Sequence, residues 1–470
     1  MSKIMQIPVK TDGAPEGPVV KNWFSWKDVE ISPTQVELSK EVFGHPQVLD
    51  ILCRAFSEKL SRDTGWDLSG VPGQAKESFV TAAKIYKRGV PFALEGQIST
   101  EKIGASHERK NADYNISIGT TIEDCFAHLD KDDIIIVDQT VADLWRNRFP
   151  FKFLSFDFSE QSKNIESTGR LLKIIRDELA LPRARQAVIF VVGGGVAGDM
   201  SGFAAGFLGL PCEFVPTTLL SMVDSSVGGK VGVNFEPWGK NQIGIFSNPR
   251  AVFACPEWLN TLPEREFKSG LAEALKHALI SGHATLWRQL VNLNNTSDNF
   301  AEILRDIIQV KASVVAADPY EQGRRVILNF GHTLGHVIET MATRIGKRIT
   351  HGECVAIGMV HALRLSQQYE GMESKTYIDD ILAAKIIGSS GSLDEILGDR
   401  RQLDRLQEDF RQLLGSDKKS RAGADVSFVL LKAPGKVATR NGHDYMIGFT
   451  FEDAWRDIKD TFLFLKSKCG

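Results

Sequence analysis

The 470-residue chain carries 56 basic against 59 acidic side chains, with 43% hydrophobic and 24% charged residues, a composition that suits a globular protein of two or three domains with a large core. This near balance supplies no basic surface for nucleic acid or an anionic membrane, so an anionic ligand has to be met by local clusters of Lys and Arg. Six scattered cysteines without Cys-x-x-Cys spacing, no signal-type apolar run at the N-terminus and no stretch near the roughly 18 apolar residues of a membrane span lead us to expect a soluble, reduced, cytoplasmic protein.

Residues 1–112 form an N-terminal extension without a catalytic pattern. Trp23 and Trp26 read as packing residues, and apolar positions such as Val36, Val42, Phe43, Leu49, Leu52 and Phe56 recur at helical spacing over 32–60, interrupted near Gly44-His45-Pro46. From Tyr114 the pattern changes. Short β-prone runs at 114–118, 133–137 and 151–156 alternate with helical segments such as 167–181, and the apolar run 187–192 meets a glycine cluster before a further strand at 212–215. This is the signature of a βαβ domain, assigned to 113–256, with a largely parallel sheet. Beyond Cys255-Pro256-Glu257 the spacing turns helical, at 264–281, 300–317, 332–343 and 353–369, which defines a second domain at 257–470 and an expected site in the cleft between the halves. The Gly/Ser patch at 388–392 reads as a loop.

The glycine cluster GGGVAGD (193–199) follows the strongest strand and opens a helix. Gly193, Gly195 and Gly198 fit the G-x-G-x-x-G spacing, in which missing side chains let a backbone turn approach a pyrophosphate. A tight strand-to-helix turn needing positive φ would also select glycine there. Residues 216–230 are dense in hydroxyls, with Asp224 and a Gly-Gly-Lys ending at Lys230, and read as a loop or helix end lining a polar pocket. Lys240-Asn241 between Gly239 and Gly244 repeats that character. Such lysines serve either as anion contacts or as solvated surface residues.

Glu273, Lys276 and His277 share one face of a helix that Leu271, Ala272, Ala274, Leu275, Ala278 and Leu279 make apolar nearly all round. An i,i+3 Glu–Lys pair is ordinarily a surface salt bridge; here the setting points to burial, with Glu273 as an oxygen ligand. Lys311 and Arg325 are placed to hold a substrate carboxylate, Arg325 in bidentate fashion, though each alone is also an ordinary solvated cation. His332 and His336, four residues apart, share a helix face, and His351 follows a short connection later. The three imidazoles can serve as nitrogen ligands or proton carriers, while two helical histidines can equally be packing or surface residues.

Together GGGVAGD, VPTTLLSMVDSSVGGK, GKNQIG, LAEALKHA, LNFGHTLGHVIE and HGECVAIGM, in that order over about 114–437, resemble the 3-dehydroquinate synthases and related sugar phosphate cyclases. The resemblance implies an α/β fold with a Rossmann-like nucleotide-binding half followed by a mostly α-helical metal-binding half, and a homodimer. It implies a bound NAD contacted by Asp138, Glu160, Lys163, Gly193, Gly194, Gly195, Val196, Asp199, Thr217 and Thr218, with Asp224, Lys230 and Lys240. Zinc or cobalt would sit on Glu273, His332 and His351, leaving His336 to face the substrate phosphate. Asp224, Lys230, Lys240, Asn241, Lys276, Lys311, Arg325 and Asn329 would surround the substrate, joined by one or both of Lys418 and Lys419.

The implied reaction oxidises a phosphorylated sugar acid, eliminates phosphate, returns the hydride and closes a carbocycle. Lys311 and Arg325 favour a heptulosonate 7-phosphate over neutral sedoheptulose 7-phosphate. Two features depart from the family pattern. The Arg-Gly pair that helps bind phosphate across the dimer is missing from GFLGLP (206–211), and the N-terminal extension has no counterpart. The rival expectations are a specialised cyclase of the valiolone or amino-dehydroquinate type, a metal-dependent polyol or alcohol dehydrogenase, and a non-catalytic relative.

Overall fold

The apolar runs at 134–137 and 189–192 are buried along their whole length, as strands covered on both faces must be. In the computed structural model they lie inside a seven-stranded sheet, and the residues described are 5–9, 114–119, 121–129, 133–150, 152–178, 187–235, 239–294, 297, 299–321, 323–388, 407–411, 413–414, 426–442 and 444–469. The helix expected at 32–60, Trp23, Trp26, most of the 388–392 loop, Lys418 and Lys419 fall outside them. Contacts divide the chain into two units, Met1–Thr217 with Gly228–Glu257, and Thr218–Val227 with Trp258–Gly470.

The strands of the first unit are β1 (Met5–Val9), β2 (Tyr114–Ile118), β3 (Ile134–Asp138), β4 (Leu154–Phe156), β5 (Ile189–Gly193), β6 (Cys212–Pro216), β7 (Lys230–Phe235), β8 (Gly239–Phe246) and β9 (Ala251–Ala254). The sheet order is β1-β2-β9-β6-β5-β3-β4. All neighbours pair in parallel except β1, which lies antiparallel on β2 with Met5 opposite Ile118. The chain runs outward from β3 to β4 and returns to β5 on the other side of β3. That reversal is a topological switch point, where open parallel sheets bind ligands beyond their strand C-termini.

Helices α1 (Ile122–Phe126), α2 (Gln139–Trp145), α3 (Ile165–Glu178) and α4 (Gly195–Leu208) complete this unit. Residues 219–229 form a short helix and a turn, within the expected loop or helix end, but the lysines lie in strands: β7 and β8 are an antiparallel hairpin in which Lys230 opens one strand and Lys240 and Asn241 lie in the other. Its alternation of Val231, Val233, Ile243 and Ile245, all buried, is a strand signal masked by the surrounding glycines and polar residues.

The second unit holds α5 (Glu264–Ser281), α6 (Ala284–Val291), α7 (Phe300–Ala317), α8 (His332–Arg344), α9 (His351–Glu370), α10 (Lys375–Ala383) and α11 (Phe451–Cys469), with short strands β10 (Val426–Phe428), β11 (Leu431–Ala433), β12 (Lys436–Val437) and β13 (Ile447–Phe449). Helix α9 packs along α8 and α5, and backbones touch at both seams. A Cβ on Gly358 would overlap the Gly331 carbonyl oxygen, and one on Gly352 would overlap that of Ser269. No helix among the described residues is long and apolar enough to cross a membrane.

Candidate active site

Helix α5 is buried from Ser269 to Ile280, charged residues included, so Glu273 is a carboxylate with 0% exposure. Lys276, one turn on, is its ion-pair partner and is 1% exposed. Gly331, at φ 79°, starts α8 and makes His332 its first residue; a residue with a Cβ would be strained there. Thr350 caps α9 through a reciprocal box with Glu353, placing His351 at its first position. From these three helices His332 Nε2 reaches Glu273 Oε1 at 3.2 Å and His351 Nε2 reaches it at 3.5 Å. One donor atom from each of Glu273, His332 and His351 lies within 4.8 Å of the others. His336 projects from the same face of α8, its ring centroid 5.2 Å from that of His332, but it is exposed and stands outside this group.

Neither oxygen of Glu273 meets a donor aligned for a hydrogen bond among the described residues; Lys276 and the two imidazoles act on it as charges and dipoles. Burial alone would raise its carboxyl, but Lys276 and His332 outweigh that and hold it well below the usual carboxylate range. For His332 burial and then Lys276 favour the neutral ring. Its Nδ1 lies 3.2 Å from the Phe330 carbonyl, a contact that in the neutral ring would favour the proton on Nδ1 and leave the Nε2 lone pair for a cation. His351 Nδ1 lies 3.4 Å from Glu339 Oε2. A buried carboxylate facing two imidazoles whose far nitrogens are anchored fits a divalent cation of the zinc type.

A second buried network adjoins it. Lys311 on α7 meets Asp224 Oδ1 at 2.6 Å, and His277 Nε2 lies 3.5 Å from the same oxygen. Asp224 sits in a single π-turn, Ser221–Ser225; burial works against its charge, yet Lys311 holds the carboxyl well below its ordinary value. Burial lowers Lys311, and Asp224 partly restores it. Arg325 is buried, donating to the Pro319 carbonyl at 2.5 Å. Asn329 donates to the Val326 carbonyl at 3.0 Å and to Glu321 at 3.2 Å. Three buried cations, Lys276, Lys311 and Arg325, thus accompany the carboxylates of Asp224 and Glu273.

In the first unit, Asp138 ends β3 and Gly193 ends β5 at the switch point, with Thr217 following β6. Asp138 caps α2, accepting from the Thr140 and Val141 amides at 2.9 and 3.3 Å. None of Gly193, Gly194, Gly195 and Gly198 has positive φ, so turn conformation is not what selects them. At Gly193 space is: a Cβ there would come within 2.6 Å of the Ala197 Cβ and 3.2 Å of the Asp138 Cβ, whereas one on Gly198 would meet nothing within 4 Å. Lys163 pairs with Asp199 at 2.5 Å, and Lys240 with Glu160 at 3.3 Å. The backbone of Val196 lies in the first turn of α4. Thr218, in the second unit, accepts from the Ser221 amide at 3.1 Å.

Sequence reasoning missed four residues. Glu339 follows His332 by seven positions, on the same helix face, which is a readable signal. The Thr350-x-x-Glu353 box was equally readable. Arg265 was not: it grips Glu353 through three contacts of 2.8–3.2 Å and the Arg348 carbonyl at 2.9 Å, across more than eighty residues.

A parallel-sheet unit with a glycine turn at its switch point, and a helical unit with a Glu/His/His cluster, are the architecture of the sugar phosphate cyclases. Within that class the chain belongs to the 3-dehydroquinate synthase family. The family models for the 3-dehydroquinate synthase N-terminal and C-terminal regions match residues 154–269 and 270–420. A 3-dehydroquinate synthase of Leptospira interrogans serovar copenhageni is 39% identical over 293 residues, 61% of this chain and 76% of that protein. That of Salinibacter ruber is 41% identical over 289 residues, 59% and 73% of the two chains. The crystal structure of a 2-deoxy-scyllo-inosose synthase complexed with carbaglucose-6-phosphate, NAD+ and Co2+ is similar at a TM-score of 0.59 and 25% identity, covering 74% of this chain and 97% of that one.

Proposed function

We propose that this protein is a 3-dehydroquinate synthase, a carbon–oxygen lyase that converts a heptulosonate 7-phosphate to a carbocycle with elimination of phosphate. The observation that carries the reading is the fully buried Glu273 carboxylate, flanked by His332 and His351, in a chain 39% identical to a 3-dehydroquinate synthase. Glu273 and the Nε2 atoms of His332 and His351 would hold a divalent ion. The switch-point residues Asp138 and Gly193 to Gly195 would hold NAD. When bound, the ion polarises a substrate hydroxyl and carbonyl and NAD takes up and returns a hydride.

The protein's own side chains supply the rest. Lys311 and Arg325 offer positive charge to a substrate carboxylate, Arg325 with a planar fork. Asp224, kept ionised by Lys311, is an acceptor for a substrate hydroxyl. His336, exposed on the histidine face of α8, neutralises and protonates a departing phosphate. A homodimer is part of this reading; a monomer in sedimentation of the pure chain at micromolar concentration removes that part.

The test supplies the purified protein with zinc or cobalt and NAD, and offers it heptulosonate 7-phosphate and sedoheptulose 7-phosphate side by side. Phosphate release from the heptulosonate without net NADH is expected. Turnover of sedoheptulose 7-phosphate alone would make it a specialised cyclase, and accumulating NADH would make it a dehydrogenase.

A further inference from the structure

We infer that Glu339 is the positioning residue of the proposed metal centre, acting through His351. The inference rests on the reading of Glu273, His332 and His351 as metal ligands. Each imidazole of that group presents Nε2 to Glu273, at 3.2 and 3.5 Å, and each has its other nitrogen against an acceptor. For His332 the acceptor is the Phe330 carbonyl, which belongs to the main chain and cannot be lost by substitution. For His351 it is the Glu339 carboxylate, 3.4 Å from Nδ1 and only 14% exposed.

An imidazole can place its single proton on either nitrogen. A carboxylate beside Nδ1 selects the Nδ1–H tautomer, leaves the Nε2 lone pair for the ion and fixes the ring's rotation about its Cβ–Cγ bond. The backbone beneath the ring is held separately. The Ser269 hydroxyl accepts from the Gly352 amide at 3.0 Å, and Arg265 clamps Glu353. The main chain at His351 is therefore fixed by α5 while its ring is aimed by α8, so Glu339 can be removed without unseating α9. Its charge also helps balance a dication that would otherwise meet one direct carboxylate beside Lys276.

The test measures zinc affinity of the full chain by competition with a chromogenic chelator, and the visible spectrum of the cobalt-loaded form, for wild type, Glu339→Ala, Glu339→Gln and His351→Ala. Glu339→Ala is expected to bind zinc about 10- to 100-fold more weakly, with a shifted cobalt band. Glu339→Gln, whose amide oxygen still accepts from Nδ1–H, should recover most of the affinity and the wild-type band. The far-ultraviolet circular dichroism of the metal-free chain should be the same in all four proteins. Full affinity in His351→Ala would defeat the ligand reading itself. If His351→Ala loses zinc but Glu339→Ala binds it like wild type, the positioning role is wrong. Equal weakening in both Glu339 variants with an unshifted cobalt band also overturns it, because the side chain would then contribute only packing.

Discussion

A fully buried carboxylate is costly unless cations meet it, and Glu273 has Lys276 beside it and two imidazole nitrogens within 3.5 Å. We expect Glu273→Ala to abolish metal binding and turnover together; wild-type activity in a metal-free preparation of that variant would refute the assignment. His336→Ala should instead keep its metal, measured by elemental analysis after dialysis, while phosphate elimination is lost. Loss of metal from His336→Ala would show that the two helical histidines exchange roles. Away from the site, His361 on α9 is fully buried, its Nδ1 3.0 Å from the Thr461 hydroxyl, whose own proton goes to the Asp457 carbonyl. Burial, aided by Arg364, pushes its pKa down to about 3. Below its unfolded value of about 6.5 the unfolded chain takes up a proton that the folded chain refuses. Stability from this group is complete above about pH 6.5 and falls toward pH 3, with about 2 kcal/mol lost by pH 5. His361→Gln should therefore flatten the decline in urea midpoint between pH 7 and 5; an unchanged slope would remove the imidazole as its source.

At the scale of elements, the site depends on how closely α9 approaches α5 and α8. A side chain at position 352 would drive the first turn of α9 off the Ser269 carbonyl and carry His351 with it. Gly352→Val should lower stability by about 1–3 kcal/mol, the usual cost of overpacking, and weaken cobalt binding as well. A thermal midpoint and cobalt affinity equal to wild type would mean that the two helices tolerate separation. The bounds of α5 and α7 were readable in the sequence because their apolar spacing continues without interruption. The β7–β8 hairpin is not legible as strands because glycines and polar residues obscure a period of two that only four buried aliphatics carry.

For the whole molecule, metal binding at the proposed Glu/His/His cluster would be coupled to folding of the helical unit, since its donors come from three helices, at positions 273, 332 and 351. A free metal concentration of about 100 times Kd should add about 2.7 kcal/mol. Chelation is accordingly expected to lower the thermal midpoint of wild type, zinc to restore it, and Glu273→Ala to show neither response. A metal-insensitive wild type would place the ion elsewhere.

Taken alone, the sequence determined the succession of a parallel α/β half and a helical half, because hydrophobic period is local. Ordered motifs also pointed to the family, and the matches at 154–269 and 270–420 agree with that reading. Tertiary structure decided what no local pattern carries. It placed 218–227, with Asp224, in the helical unit. It also brought Glu339 to His351 and Arg265 to Glu353. Those outcomes depend on which helix faces meet and how closely their backbones approach, and that is settled by packing between residues far apart in the chain.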